Sequence, residues 1–339
     1  MALAYTPDQL KPQNTNTFTT RQYWRDPEDL TQGFDVASLV EPGAVAALGE
    51  TYMIATQSHA DWAFAQPEGR IDGRRAWRQD AVDDRDIFRD RTLPSPSTVR
   101  VIVLQDASGS MQYGRTSIPM HGAEPRVVSL SEASTVCAAT LVQGLAYIPN
   151  VEIEVLQHSF GHTSAEGDEV ARHSRRSPGV HTVHIRRAWD EGTPLQFMNV
   201  MPNWGPGGGN ADGHAIVAIT DWLENELQTD ETPMIIVISD GAPADLGKNP
   251  DYLAIRKDHP EGLDGAEAAL VDGIAYARQH GIKVLSVAIA GPVQSKFYGK
   301  DAVVAFDGNW ITLAQALAAK IGETVANEAG NVADDPFAY

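Results

Sequence analysis

The sequence predicts an α/β protein: a doubly wound, mostly parallel sheet with one antiparallel edge strand, preceded by an N-terminal helical extension. Three observations point there. Short apolar, β-branched runs alternate with amphipathic segments of helix length over residues 99–326, the pattern of a parallel sheet covered on both faces. Several runs are apolar at nearly every position, as in strands buried on both sides. One pair of runs, 151–159 and 181–187, has no helix-length apolar segment between its members, which makes it a long hairpin and 181–187 the antiparallel edge.

In chain order, residues 1–35 are polar, with Pro7, Pro12 and the run "NTNTFTT", and read as an extended arm. Residues 36–65 hold helical material in "EPGAVAALGETYMIATQ", where Pro42 and Gly43 suit a helix start. The stretch "GRIDGRRAWRQDAVDDRDIFRDRTLPSPS" mixes both charge signs and closes on a Pro/Ser linker, which places a boundary near 93–98. The predicted division is an arm and helical extension over 1–97, a sheet domain over 98–326 and a tail over 327–339.

Strands are predicted at 99–105, 151–159, 181–187, 234–239, 283–290 and 302–306. "HTVHIRR" at 181–187 alternates as a half-exposed edge does. Helices are predicted at 129–147, opening on the Ser-x-x-Glu capping pattern "SLSE", and at 212–227, with Ile216, Ile219, Leu223 and Leu227 on one stripe. Two more follow: 264–280, striped by Ala266, Leu270, Ile274 and Ala277, and 312–326, striped by Leu313, Leu317, Ile321 and Val325.

Composition narrows the function. A chain of 339 residues is one large domain, or one domain with a sizeable appendage. The formal charge of −19 argues against a nucleic-acid binder, which meets phosphates with clustered Lys and Arg, and against anionic membrane surfaces. The single cysteine, Cys137, excludes an internal disulfide framework and a cysteine-based zinc site, and reads as a small core residue. "MALAYTPDQLKPQNTNTF" lacks a basic stretch followed by an apolar one, and no apolar run reaches the length of a membrane span. The expectation is a soluble, cytoplasmic protein.

The chemistry concentrates at strand ends. "VRVIVLQDASGSMQYGR" runs a buried strand into Asp106, Ser108 and Ser110 on one glycine-containing turn. "MIIVISDGAPAD" ends its strand in Asp240, and "GPGGGNADGHAI" brings Asn210 and Asp212 to a helix start. In an open α/β sheet these ends share one rim, where ligands bind. Carboxylate, hydroxyl and amide oxygens are hard donors suited to Mg²⁺, and alternate residues of a tight turn can aim oxygens at one point.

Other readings of the same residues are weaker. Strand-end Asp and Ser often cap helices, but three such segments in register exceed what capping requires. "GPGGGN" is not followed by Gly-Lys-Ser/Thr, so it is no P-loop. A phosphoryl-accepting Asp106 would want a second aspartate where Ser108 stands. His181 and His184 would face opposite sides of a strand, and His158 and His162 flank a turn, so these are read as packed or solvated imidazoles rather than a zinc site. His214 either hydrogen-bonds a ligand or lies at the surface. Thr193 lies too far before Asp240 in sequence for the single intervening helix. The stretches 161–179, with Arg172, Arg175 and Arg176, and 247–262 are read as solvated loops or as contacts for an acidic partner.

The D-x-S-x-S, N-x-D and D-G segments together resemble a von Willebrand factor A domain with its metal-ion-dependent adhesion site, over about residues 99–326. The resemblance implies Mg²⁺, or another divalent cation such as Mn²⁺, at Asp106, Ser108, Ser110 and Asp240. Asn210 occupies the position of the family's threonine, so the further ligand is Asn210 or Asp212. "GNADGHAI", "VISDGAPAD", "NPDYL" and the preceding "WAFAQPEGRIDGRRAWRQ" and "DIFRDR" are similar to the A-type domain of aerobic cobaltochelatase T subunits, over roughly residues 62–326. The long acidic insertion and the larger N-terminal half of that family are missing. This resemblance implies an adaptor for a MoxR-type AAA+ ATPase, its metal accepting a carboxylate from a client protein. The alternative it implies is a cobaltochelatase subunit taking part in ATP-dependent cobalt insertion into a corrin ring. Short chains of this kind also accompany such ATPases in bacteriophages.

Overall fold

In the computed structural model the described residues are 34–58, 61–66, 70–71, 88–92, 98–120, 122–146, 148, 151–160, 183–187, 198–199, 201–203, 210–227, 231–241, 243, 265–290 and 294–333. Thr193, His162, His181 and the two loops with their arginines lie outside them.

Six strands form the central sheet: β4 (Thr98–Asp106), β7 (Val151–Phe160), β8 (Val183–Arg187), β9 (Glu231–Ser239), β10 (Lys283–Ala288) and β11 (Val303–Ala305), in the order β11-β10-β9-β4-β7-β8. Every neighbouring pair is parallel except β7 with β8. Counted along the chain, the order from the β8 edge is 3-2-1-4-5-6, the doubly wound arrangement. The winding reverses between β4 and β9, and that switch point places the ligand rim at Asp106 and Ser239.

Side-chain alternation in β4 distributes the core. Val99, Val101 and Val103 join one apolar cluster, while Ile102 and Leu104 join the other, and all five are fully buried. The first cluster is closed by α3 (Leu130–Leu145) and by α7 (Trp310–Ala333), which follows the short α6 (Ser295–Tyr298), through Val136, Leu141, Leu313, Leu317 and Ile321. The second is closed by α4 (Asp212–Glu226) and α5 (Gly265–Gln279) through Ile216, Ile219, Leu223, Leu270 and Ile274. Of the predicted stripes, Ile216, Ile219, Leu223, Ala266, Leu270, Ile274, Ala277, Leu313, Leu317 and Ile321 are buried, and Leu227 is half-buried.

The helix α1 (Pro42–Ser58) is not a separate appendage. Leu48 and Tyr52 belong to the first core cluster together with Phe34, Val36 and Leu39. A Cβ on Gly144 of α3 would come within 2.8 Å of Leu48, and one on Gly322 of α7 within 2.4 Å of the Ala55 Cβ, so α1 lies close against both helices.

Local signals explain the boundaries. Ser129 accepts a hydrogen bond from the Glu132 N–H at 3.0 Å and donates its own N–H to Glu132 at 2.6 Å, a complete capping box at the start of α3. The last helix begins a half-turn before the predicted 312 because Asn309 Oδ1 accepts from the N–H groups of Ile311 and Thr312. It continues to Ala333, into the stretch expected to fray. Strand β9 begins at Glu231 rather than 234. Pro233, which has no N–H to give a ladder, stands opposite Arg100 in register, and Arg100 meets Glu231 at 3.7 Å.

Two small antiparallel sheets were not anticipated. β1 (Asp61–Gln66), β2 (Arg70–Ile71) and β3 (Phe88–Thr92) form one, in the order β1-β3-β2. β5 (Arg115–Met120) and β6 (Ala123–Ser129) form a hairpin closed at Gly122, whose φ of 68° favours glycine. No helix among the described residues is long and apolar enough to cross a membrane.

Candidate metal centre at the sheet rim

The six residues singled out from the sequence come together in one hydrogen-bonded network. β4 ends on Asp106, which is fully buried. Its Oδ1 accepts the Ser108 N–H at 2.7 Å, folding the turn back on itself. Its Oδ2 accepts from Asn210 Nδ2 at 3.0 Å and from the Ser239 hydroxyl at 3.2 Å, so loops after two strands and before α4 converge on one carboxylate. Ser108 stands at the N-cap of the short α2 (Gly109–Tyr113) yet makes no capping hydrogen bond. Its Oγ lies 3.0 Å from Ser110 Oγ instead. Ser110 is exposed and hydrogen-bonds the half-buried Asp240. The serines are therefore held for something other than helix capping.

The Asn210 side chain is fixed by chemistry. A carboxylate only accepts, so the atom facing Asp106 is Nδ2; an amide N–H only donates, so the atom facing the Asp212 N–H, at 3.1 Å, is Oδ1. Both ends of the amide thus have protein partners, and Asn210 acts as a brace. The Asp212 carboxylate differs. Oδ1 makes an ion-pair contact with His158 Nε2 at 2.8 Å, and both residues are almost inaccessible. Neither Asp212 oxygen and neither His158 ring nitrogen has a partner in hydrogen-bonding geometry among the described residues, so Oδ1 is engaged by the ion pair and Oδ2 is not.

His158 belongs to the site and was not read as part of it. In the β4–β7 register it stands opposite Asp106. Leu156 faces the second core cluster, under α4, and two residues on, His158 shares that face. Its backbone carbonyl accepts the Ala107 N–H at 2.9 Å. His214, the second residue of α4 after Asp212, is buried and not at the surface. One step before Asp106, Gln105 and Gln157 form a second buried polar pair at 3.1 Å, tied to Thr135 at the start of α3.

Three carboxylates in one small volume leave their mark on titration. The Asp106 carboxyl is pushed up to about 7 by burial, then by the Asp212 charge, against the lowering effect of His158. Asp240 is raised by burial first, with Ser110 hydrogen bonding opposing. Burial alone would lower His158, but Asp212 and Asp106 outweigh it and hold the imidazole protonated to higher pH. Tyr298, buried and without a hydrogen-bond partner for its hydroxyl among the described residues, is driven well up by burial and then by Asp212 and Asp106.

A raised carboxyl makes the metal-free fold retain a proton that the unfolded chain releases near its ordinary value of 3.8. This contribution to stability is complete below that value and is lost as pH rises to about 7. A divalent cation needs the deprotonated form, so its affinity should rise over the same interval. In chelator, the wild-type melting temperature is expected to decline more steeply between those limits than that of Asp106→Asn. Melting curves across the pH series check it, and parallel curves would refute the assignment.

The donors fit a hard divalent ion. Two ligands at right angles on an octahedral Mg²⁺, each at roughly 2.0–2.1 Å, stand about 3 Å apart; the Ser108 and Ser110 hydroxyl oxygens are 3.0 Å apart. The unpartnered, buried Asp212 Oδ2 is the kind of atom that a cation or its water satisfies. Among the described residues no group of three or more His, Cys, Asp or Glu side chains is arranged to hold a metal by itself, so the hydroxyls would be essential.

No family model matches the chain, and no curated protein does. Among solved structures it is similar to the pilus adhesin SpaC of Lactobacillus rhamnosus GG in its open conformation, at 13% identity over 68% of this chain and 30% of the adhesin, with a TM-score of 0.39. It is similar to the manganese-loaded TRAP protein of Plasmodium vivax at 10% identity, over 64% of this chain and 72% of that one, with a TM-score of 0.38. To the SpRpn10 VWA domain it is similar at 12% identity, over 67% of this chain and 97% of that one, with a TM-score of 0.37. The chain thus spans less than a third of the adhesin's length. These likenesses are weak, and the doubly wound α/β architecture rests on the strand order and registers given above.

Proposed function

We propose that the chain is a metal-dependent protein-binding domain of the von Willebrand factor A kind, working as an adaptor beside a MoxR-type AAA+ ATPase. The observation that carries this reading is the pair of serine hydroxyls held 3.0 Å apart at the switch point, neither used for capping, beside three aspartates. In this reading Ser108 and Ser110 bind Mg²⁺ or Mn²⁺ directly, Asp212 supplies its free oxygen, and Asp240 orients Ser110 or a metal-bound water. Asp106 and Asn210 hold the loops. An ion held there would supply the charge that a carboxylate from a client protein meets in a charge-strengthened contact. The sequence resemblance to cobaltochelatase T subunits supplies the ATPase partner.

Calorimetric titration tests the metal. The wild-type chain is expected to bind one Mg²⁺ or Mn²⁺, and Ser110→Ala to bind at least about tenfold more weakly, the loss of one direct ligand. The purified chain is expected to hydrolyse no ATP, and to bind a MoxR-type AAA+ ATPase only when metal is present. Metal binding that is indifferent to Ser110, or ATP turnover by the isolated chain, would overturn the proposal.

A further inference from the structure

We infer that His158 is a positioning residue of the metal centre, acting through Asp212; the inference rests on the metal site proposed above. Three observations place it. His158 Nε2 lies 2.8 Å from Asp212 Oδ1 as an ion pair, and neither carboxylate oxygen has a hydrogen-bond partner among the described residues, so the imidazole holds the carboxylate by charge on one side and leaves Oδ2 for a ligand. Both side chains are at most 1% accessible, so water does not substitute for the contact at the surface. Finally, His158 closes a ring of contacts. Its carbonyl holds Ala107, its imidazole holds Asp212, the Asp212 N–H holds Asn210, and the Asn210 amide holds Asp106.

The ring ties β4, β7 and the start of α4 together beneath the two serines. Without it the Asp212 carboxylate, at the first position of α4, is free to rotate. Outer partners of metal-binding side chains act in this way, orienting a donor that they do not replace. Their removal typically weakens metal binding about 10–100-fold.

The test uses Mn²⁺ titrations of the full chain, followed by electron paramagnetic resonance, with melting in chelator as a check on folding. His158→Asn is too short to reach Asp212 and is expected to bind Mn²⁺ about 10–100-fold more weakly. His158→Gln, whose amide N–H extends about as far as Nε2, is expected to recover most of that affinity. In an Asp212→Ala background, His158→Asn is expected to cost little further affinity, because the contact it removes is already broken. Equal losses in the Asn and Gln variants, or losses that add in the double variant, would reduce His158 to a packing residue and overturn the inference. Should His158→Asn fail to fold, His158→Leu, which fills a similar volume without a donor, takes its place in the same cycle with Asp212→Ala. Mn²⁺ binding that depends on Ser110 but not on His158 sinks this inference alone. No Mn²⁺ binding by the wild-type chain sinks the metal reading and this one with it.

Discussion

Replacing Gly213 by alanine is expected to cost the protein about 1–3 kcal/mol or more, the range for forcing atoms into a filled interior. Gly213 follows Asp212 in the first turn of α4, where α4 crosses α5 backbone against backbone. A Cβ there would lie 2.2 Å from the Ala269 carbonyl oxygen, and one on Gly273 of α5 would lie 2.5 Å from the Gly213 carbonyl oxygen. Neither obstacle is the tip of a flexible side chain, so relief requires the helices to separate. For a domain of this size the melting temperature should fall by several degrees, at roughly 2–4 °C per kcal/mol. Because Asp212 precedes the glycine directly, metal affinity should fall as well. Thermal melts and Mn²⁺ titration read both effects. An alanine variant with wild-type stability would mean that the helices do not cross this closely.

The second large effect is expected at Asp106. In the wild-type chain, Mg²⁺ at a hundred times its dissociation constant adds about 2.7 kcal/mol to stability, since it binds the folded state alone. Asp106→Ala should abolish this gain. The Ser108 N–H, Asn210 Nδ2 and Ser239 hydroxyl all donate to Asp106, and without it the three loops lose their common acceptor. The metal-free protein should change less, because the variant also removes a buried carboxylate whose charge is costly there. Paired melts in Mg²⁺ and in chelator separate the two contributions. A full upward shift with Mg²⁺ in the alanine variant would place the cation elsewhere.

Much of this arrangement was legible before any coordinates. The continuous runs of β4 and β9 are buried on both faces as expected, and the stripes of α4 and α5 meet the core at Ile216, Ile219, Leu270 and Ile274. The capping box at Ser129 is present, and β8 is the antiparallel edge. All six residues singled out meet in one network, because strand ends of a parallel sheet share a rim. The β5–β6 hairpin escaped detection because Pro119 and Pro125 interrupt it and its outer positions are polar; only Ile118, Val128 and Ser129 are buried. β3 reads "FRDRT", a run of charges that composition assigns to a loop. His158 was missed for a different reason. Its partner Asp212 is distant in sequence, and only the β4–β7 register together with the side of the sheet taken by α4 brings them together. The status of Asn210 and Asp212 likewise needed the hydrogen-bond partners, which no spacing rule supplies.

The docking of residues 34–58 also bears on how the chain can be divided. Leu48 and Tyr52 are interior to the same cluster as Leu317 and Ile321, and Ala55 nests against Gly322. A cut in the connecting stretch between positions 58 and 98 would therefore leave two fragments clasped as a single particle, whereas deleting the leading fragment would uncover an oily trough along the final helix. Whatever tugs on residues 42–58 thus pulls on the final helix.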